Sequence, residues 1–170
     1  VMGVIVMLMS FIGLVALINM GLDALAGLVK DATGVLPNLR LENLLAYVYY
    51  PFTLIIGVPP ADAFEVARLL GVRTILTEIP AYQQLDQLIA SGALHHGRSA
   101  VLASYALCGF AHIPSIAIFV GGTAALAPRQ TKTLAQVAVR SLVAATLACL
   151  MMAAVAGVFY GNGLLVLQMP

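Results

Sequence analysis

Glu78 carries the chemistry of this chain that most needs a partner. It stands in the segment Thr77-Glu78-Ile79-Pro80-Ala81-Tyr82, where two apolar stretches meet. Further along, Gly109, Phe110, His112, Pro114 and Ser115 crowd the middle of a second apolar run, 100–127. A carboxylate accepts hydrogen bonds, while imidazole and hydroxyl groups both donate and accept. In an apolar setting such groups mark a substrate or ion site by default. A glutamate with a histidine also satisfies the residue types for proton transfer. No nucleophile elbow, HExxH pattern or metal-ligand set accompanies them, so no catalytic residue and no metal site is assigned. His95 and His96 have no Cys, Asp or Glu at ligand spacing and are read as a solvated loop.

These groups need elements to hold them. Pro114 removes a backbone donor and clashes with the preceding turn, so a helix over 100–127 must break or kink near it. In lipid, the freed backbone groups persist only against protein or a polar cavity. Carriers build midplane substrate sites from such interrupted helices. Residues 59–97 read as two half-length helices joined at the Thr77–Glu78 tip, a re-entrant hairpin that puts Glu78 deep. The alternative is an exposed loop with Glu78 solvated.

The composition agrees with a membrane setting. The 170 residues are 62% hydrophobic and only 9% charged, and the mean hydropathy is +1.03. Soluble domains carry about a quarter charged residues. A net charge of +1 gives no reason to expect nucleic acid as a partner. The fold class is therefore an all-α membrane protein, with transmembrane and interfacial helices, a re-entrant hairpin and a broken transmembrane helix.

Along the chain, residues 1–30 form a first transmembrane helix, with Asn19 and Asp23 at its interfacial end. Val1 lies inside that apolar run, so the chain is expected to be a piece of a longer protein. Residues 38–58, with Tyr47, Tyr49 and Tyr50, read as interfacial helices split by Pro51. An amphipathic helix facing a core is the alternative. Residues 98–127 are the broken helix and 131–161 the final span. There Ala144, Ala148, Ala153 and Gly157 offer small residues for close packing. Cys108 and Cys149 are read as small buried hydrophobes within helices. Lysines and arginines fall on both sides of this topology, so charge does not fix the orientation.

The order and spacing of YPFTLIIGVPPADA, LLGVRTILTEIPAY and YALCGFAHIPSIAIFVGGTAALAP resemble the C-terminal half of concentrative nucleoside transporters, over nearly the whole chain. The resemblance implies the second of two inverted repeats, with 1–30 as scaffold helix. It implies ion-coupled nucleoside uptake across a bacterial-type cytoplasmic membrane, assembly as a homotrimer, and a separate N-terminal half. By position, Glu78 matches a hairpin-tip glutamate that bonds ribose, Phe110 an aromatic at the pocket wall, and Ser115 a serine that contacts the sugar. Thr77 and His112 stand where the family has asparagine, and complete the expected substrate site. No covalently bound cofactor is implied. The coupling ion is sodium or a proton, with ligands mainly in the N-terminal half. Two rival functions remain: a non-transporting gate or assembly protein of the same half-fold, and a membrane-embedded enzyme using Glu78 and His112.

Overall fold

The computed structural model describes residues 2–33 and 40–160, and every regular element among them is helical. In chain order these are α1 (Met2–Thr33), α2 (Leu41–Ile55), α3 (Pro60–Ile75), α4 (Glu78–Ala90), α5 (Gly97–Leu107), α6 (Ile113–Leu126) and α7 (Thr131–Phe159). A single 3₁₀ turn, Pro128–Gln130, leads into α7. Two segments, Met9–Leu28 in α1 and Pro128–Phe159, are long and apolar enough to cross a bilayer. Leu17, Met20 and Leu28 on α1 and Met151, Val155 and Val158 on α7 are exposed.

The core is built around α3. Eleven of its 16 residues are buried, among them Val66, Leu69 and Leu70. Such a helix, covered on nearly all sides, has no polar face to offer water. Pro59 and Pro60 open it in the pattern that a proline at the first helical position favours. Against it lies α2, whose inner face is Asn43, Ala46, Tyr49 and Thr53. A Cβ at Gly71 would collide with the backbone oxygen of Glu42, so glycine is what lets α3 and α2 cross this closely. Tyr49 and Thr74 hydroxyls bond at 2.8 Å across the same contact.

Pro51 does not split α2, contrary to the sequence reading. The helix continues through it, with the proline ring on the exposed side. Thr53 explains why: its hydroxyl lies 2.7 Å from Tyr50 O and 3.1 Å from Ala63 O, pinning the turn after the proline to α3. That packing outweighs one missing helical bond.

Asp62, in the first turn of α3, is fully buried and organises the start of α5. Its carboxylate accepts from the backbone N–H of His95 and of His96 at 2.9 and 3.1 Å, and from Ser99 Oγ at 2.6 Å. His96 Nδ1 lies 3.1 Å away. The imidazoles of His95 and His96 are exposed, as the sequence predicts, but their backbone is a fixed corner rather than a free loop.

Asn19 and Asp23 also do more than end a helix. Asn19 bonds Glu42 at 2.9 Å and accepts from Leu41 N, and Asp23 pairs with Arg40 at 3.2 Å. They join α1 to the start of α2. Only part of the small-residue stripe on α7 is packed. Ala153 and Gly157 are buried with Thr146, Cys149 and Leu150, whereas Ala144 and Ala148 are exposed. The packed set keeps the three- and four-residue steps of one helix face.

Asp62→Asn in the full-length parent protein should lower the thermal unfolding temperature, by an amount equivalent to roughly 2 kcal/mol, because an amide cannot accept all these donors. Hydrogen exchange at the His95 and His96 amides should accelerate. Unchanged exchange there would contradict this role.

Candidate functional site

Four helix ends meet where the α3–α4 turn approaches the gap between α5 and α6. The first pair is the C-terminus of α3 and the N-terminus of α4, joined by Leu76 and an extended Thr77. The second pair is the C-terminus of α5 and the N-terminus of α6, separated by residues 108–112. Within that gap Gly109 N bonds Leu107 O and Ala111 N bonds Gly109 O, two tight turns in place of a helical ladder. A Cβ at Gly109 would come within 2.6 Å of Cys149 Sγ, so the gap fits against α7 only with glycine there. Cys149 is buried as expected, but Cys108 is exposed and lies in the gap rather than in a helix.

Glu78 is the first residue of α4, where unpaired N–H groups and the helix dipole favour a carboxylate. Its side chain is about one quarter exposed, and Oε2 lies 3.1 Å from His112 Nε2. His112 is buried and caps α6: its Nδ1 accepts from Ser115 N at 3.0 Å. A neutral imidazole has one donor and one acceptor, so the cap assigns the proton to Nε2, facing Glu78. One ring thus links the N-termini of two helices.

Ser115 is buried beside it. Its hydroxyl lies 2.9 Å from Phe110 O and 2.6 Å from His112 O, so its proton is held by the backbone and only lone pairs remain for a ligand. Phe110 is 69% exposed, its ring edge-on to His112 with centroids 6.0 Å apart. Phe110 and Ser115 open into a cavity of about 400 Å³ between α6 and α7, lined mostly by apolar groups such as Phe119 and Leu142, with the hydroxyl residues Thr123 and Ser141. Thr77 is half-buried and its hydroxyl caps nothing. The structure therefore brings Glu78 and His112 into contact, with Ser115 and Phe110 adjoining His112 and Thr77 next to Glu78 in the turn.

Two neighbours escaped the sequence analysis. Arg73, in the last turn of α3, is fully buried and donates from Nη1 to Ala106 O at the end of α5. A cation is favoured at a helix C-terminus. Tyr82, one turn beyond Glu78, donates to Ser104 O at 2.8 Å. The available signal for Arg73 was a charge in an otherwise apolar helix, one turn before the Thr77 tip. Among the described residues no group of three or more His, Cys, Asp or Glu is placed to hold a metal ion.

Residues 1–157 match the family described as the C-terminus of Na⁺-dependent nucleoside transporters. The chain belongs to that family. It is 35% identical over 163 residues to human "Solute carrier family 28 member 3", covering 89% of this chain and 23% of the human protein. It is 32% identical over 165 residues to rat "Sodium/nucleoside cotransporter 1", covering 90% of this chain and 25% of that protein. CNTnw in its intermediate 3 state, a solved variant structure, superposes with a TM-score of 0.84 at 31% identity, over 94% of this chain and 38% of that one. The chain thus spans about a quarter of the length of these mammalian relatives and 38% of the CNTnw chain. The family is one of integral membrane transporters, which removes the enzyme reading of Glu78 and His112.

The cap gives an expectation for His112. His112→Asn keeps an N-cap acceptor for Ser115 N and, with a shorter side chain, frees Glu78. In the full-length parent it should preserve or raise nucleoside affinity. His112→Ala loses the cap and should destabilise by about 1 kcal/mol. Binding calorimetry and thermal melts check both, and complete loss of binding in His112→Asn would overturn the assignment.

Proposed function

We propose that this chain is the C-terminal, sugar-binding part of a sodium-coupled nucleoside carrier. The observation that carries the proposal is the Glu78–His112 contact, which joins the N-termini of α4 and α6 at an interruption in the helix path. In this reading α3 and α4 form a re-entrant hairpin, and α5 with α6 forms the broken spanning helix. Glu78, ionised, accepts from the sugar hydroxyls. Charge-assisted bonds of this kind are roughly twice as strong as neutral ones. His112 and Ser115 complete the polar side, Phe110 covers an apolar face of the ligand, and Thr77 lies at the rim. The site binds and releases its ligand unchanged.

Sodium is favoured as the coupling ion because the matching family is named for it. Its ligands are assigned to the N-terminal part of the parent protein. The same parent would assemble as a trimer in the cytoplasmic membrane, with α1 as scaffold. Moving α3–α6 as a body past α1 would open the site to each side in turn.

Glu78→Gln in the full-length parent should weaken nucleoside binding roughly 10- to 100-fold, the worth of a hydrogen bond to a charged group. Membrane insertion should be unaffected. Isotopic uptake and binding in proteoliposomes check this. Parental uptake and affinity would remove Glu78 from the site, and a parent that neither binds nor moves nucleosides would favour a gate or assembly role.

A further inference from the structure

Arg73 is not explained by packing alone. Its side chain is completely excluded from solvent, yet Nε and Nη2 have no hydrogen-bond partner among the described residues, and only Nη1 is used. A guanidinium cannot shed its proton at any ordinary pH, so the charge stays whatever the surroundings. Burying an unpaired charge is strongly unfavourable, and an apolar side chain of similar length would fill the same space without that cost. Among the described residues the only other buried side-chain atom without a hydrogen-bond partner is Oε2 of Glu78, at the same four helix ends, where His112 Nε2 lies 3.1 Å away without hydrogen-bond geometry.

We infer that Arg73 is a positioning residue of the candidate site: a resident cation that balances Glu78 and the carbonyl end of α5, so that this tip takes a neutral, hydroxyl-bearing ligand without a metal ion of its own. Three observations support it. Arg73 reaches the α5 C-terminus at Ala106, directly before the gap that ends in His112. It stands one helical turn before the tip that carries Glu78. Arg73 bonds the α5 side of the 108–112 gap, and Glu78 faces His112 on its α6 side. A carboxylate in low dielectric tends to take up a proton unless an opposite charge favours its ionised form. Arg73 acts through Glu78, and need not touch the ligand.

The inference rests on the carrier reading, and one experiment separates their failures. Nucleoside binding is measured by calorimetry on the purified full-length parent and on Arg73→Ala, Arg73→Gln and Arg73→Lys, each without additive, with guanidinium chloride and with urea at the same tens of millimolar. Parent protein that binds no nucleoside overturns the carrier reading itself. With binding parent protein, Arg73→Ala and Arg73→Gln should lose at least roughly tenfold in affinity, one charged hydrogen bond's worth. Arg73→Lys should retain most of it. Guanidinium should restore Arg73→Ala, and urea, which has nearly the same shape without the charge, should not. Equal rescue by urea, or parental affinity in Arg73→Gln, would overturn the inference. So would a set in which both neutral variants fail to insert while Arg73→Lys inserts without binding, because Arg73 would then be structural.

Discussion

A helix that stops away from water leaves backbone N–H and C=O groups with nothing to bond, and this fold concentrates four helix ends in one place. The ends of α3 and α5 present carbonyls; the starts of α4 and α6 present N–H groups. The side chains there answer those ends by sign. Arg73 meets the carbonyl end of α5, Glu78 sits on the N–H end of α4, and His112 accepts from α6 with one nitrogen while facing Glu78 with the other. The candidate site residues and the groups that stabilise the interruption are therefore the same groups.

The rest of the chain keeps that junction in register. Gly71 brings α2 close to α3, Gly109 brings the gap against Cys149, and Asp62 fixes the corner where α5 begins. Tyr82 and Arg73 each bond a carbonyl near the end of α5, so the α3–α4 pair and α5 are tied at the junction as well as at the opposite end by Asp62. The polar ties of α1 run instead to the start of α2, through Asn19–Glu42 and Asp23–Arg40. In the carrier reading this division separates a body that holds the ligand from a helix it moves against.

Much of this was legible from residue types alone. Pro114 with Gly109 announced the interruption, and a lone glutamate between two half-length apolar stretches announced the tip, because backbone and charge penalties in lipid leave few alternatives. Pro51 misled for the opposite reason: it sits on an exposed helix face, where packing on the other face compensates. The small-residue stripe on α7 was half right, since four- and five-residue steps drift around a helix and only the inner positions stay on the packed face. Cys108 fell in the gap because α5 already ends at Leu107, where the chain turns to pass Gly109 against Cys149. Arg73 was hidden by being counted as one more basic residue. Its importance lies in burial against a helix end thirty-three positions away in sequence, which no local pattern encodes.

The central claim is that Glu78 faces an unwound segment inside the membrane and receives a sugar there. The most direct test is a structure of the full-length parent in lipid nanodiscs with a nucleoside bound. The expected density places sugar hydroxyls about 2.5–3.2 Å from the Glu78 carboxylate, opposite a non-helical 108–112 segment and away from bulk water. A nucleoside bound elsewhere, Glu78 in open solvent, or a continuous helix through residues 108–112 would contradict it.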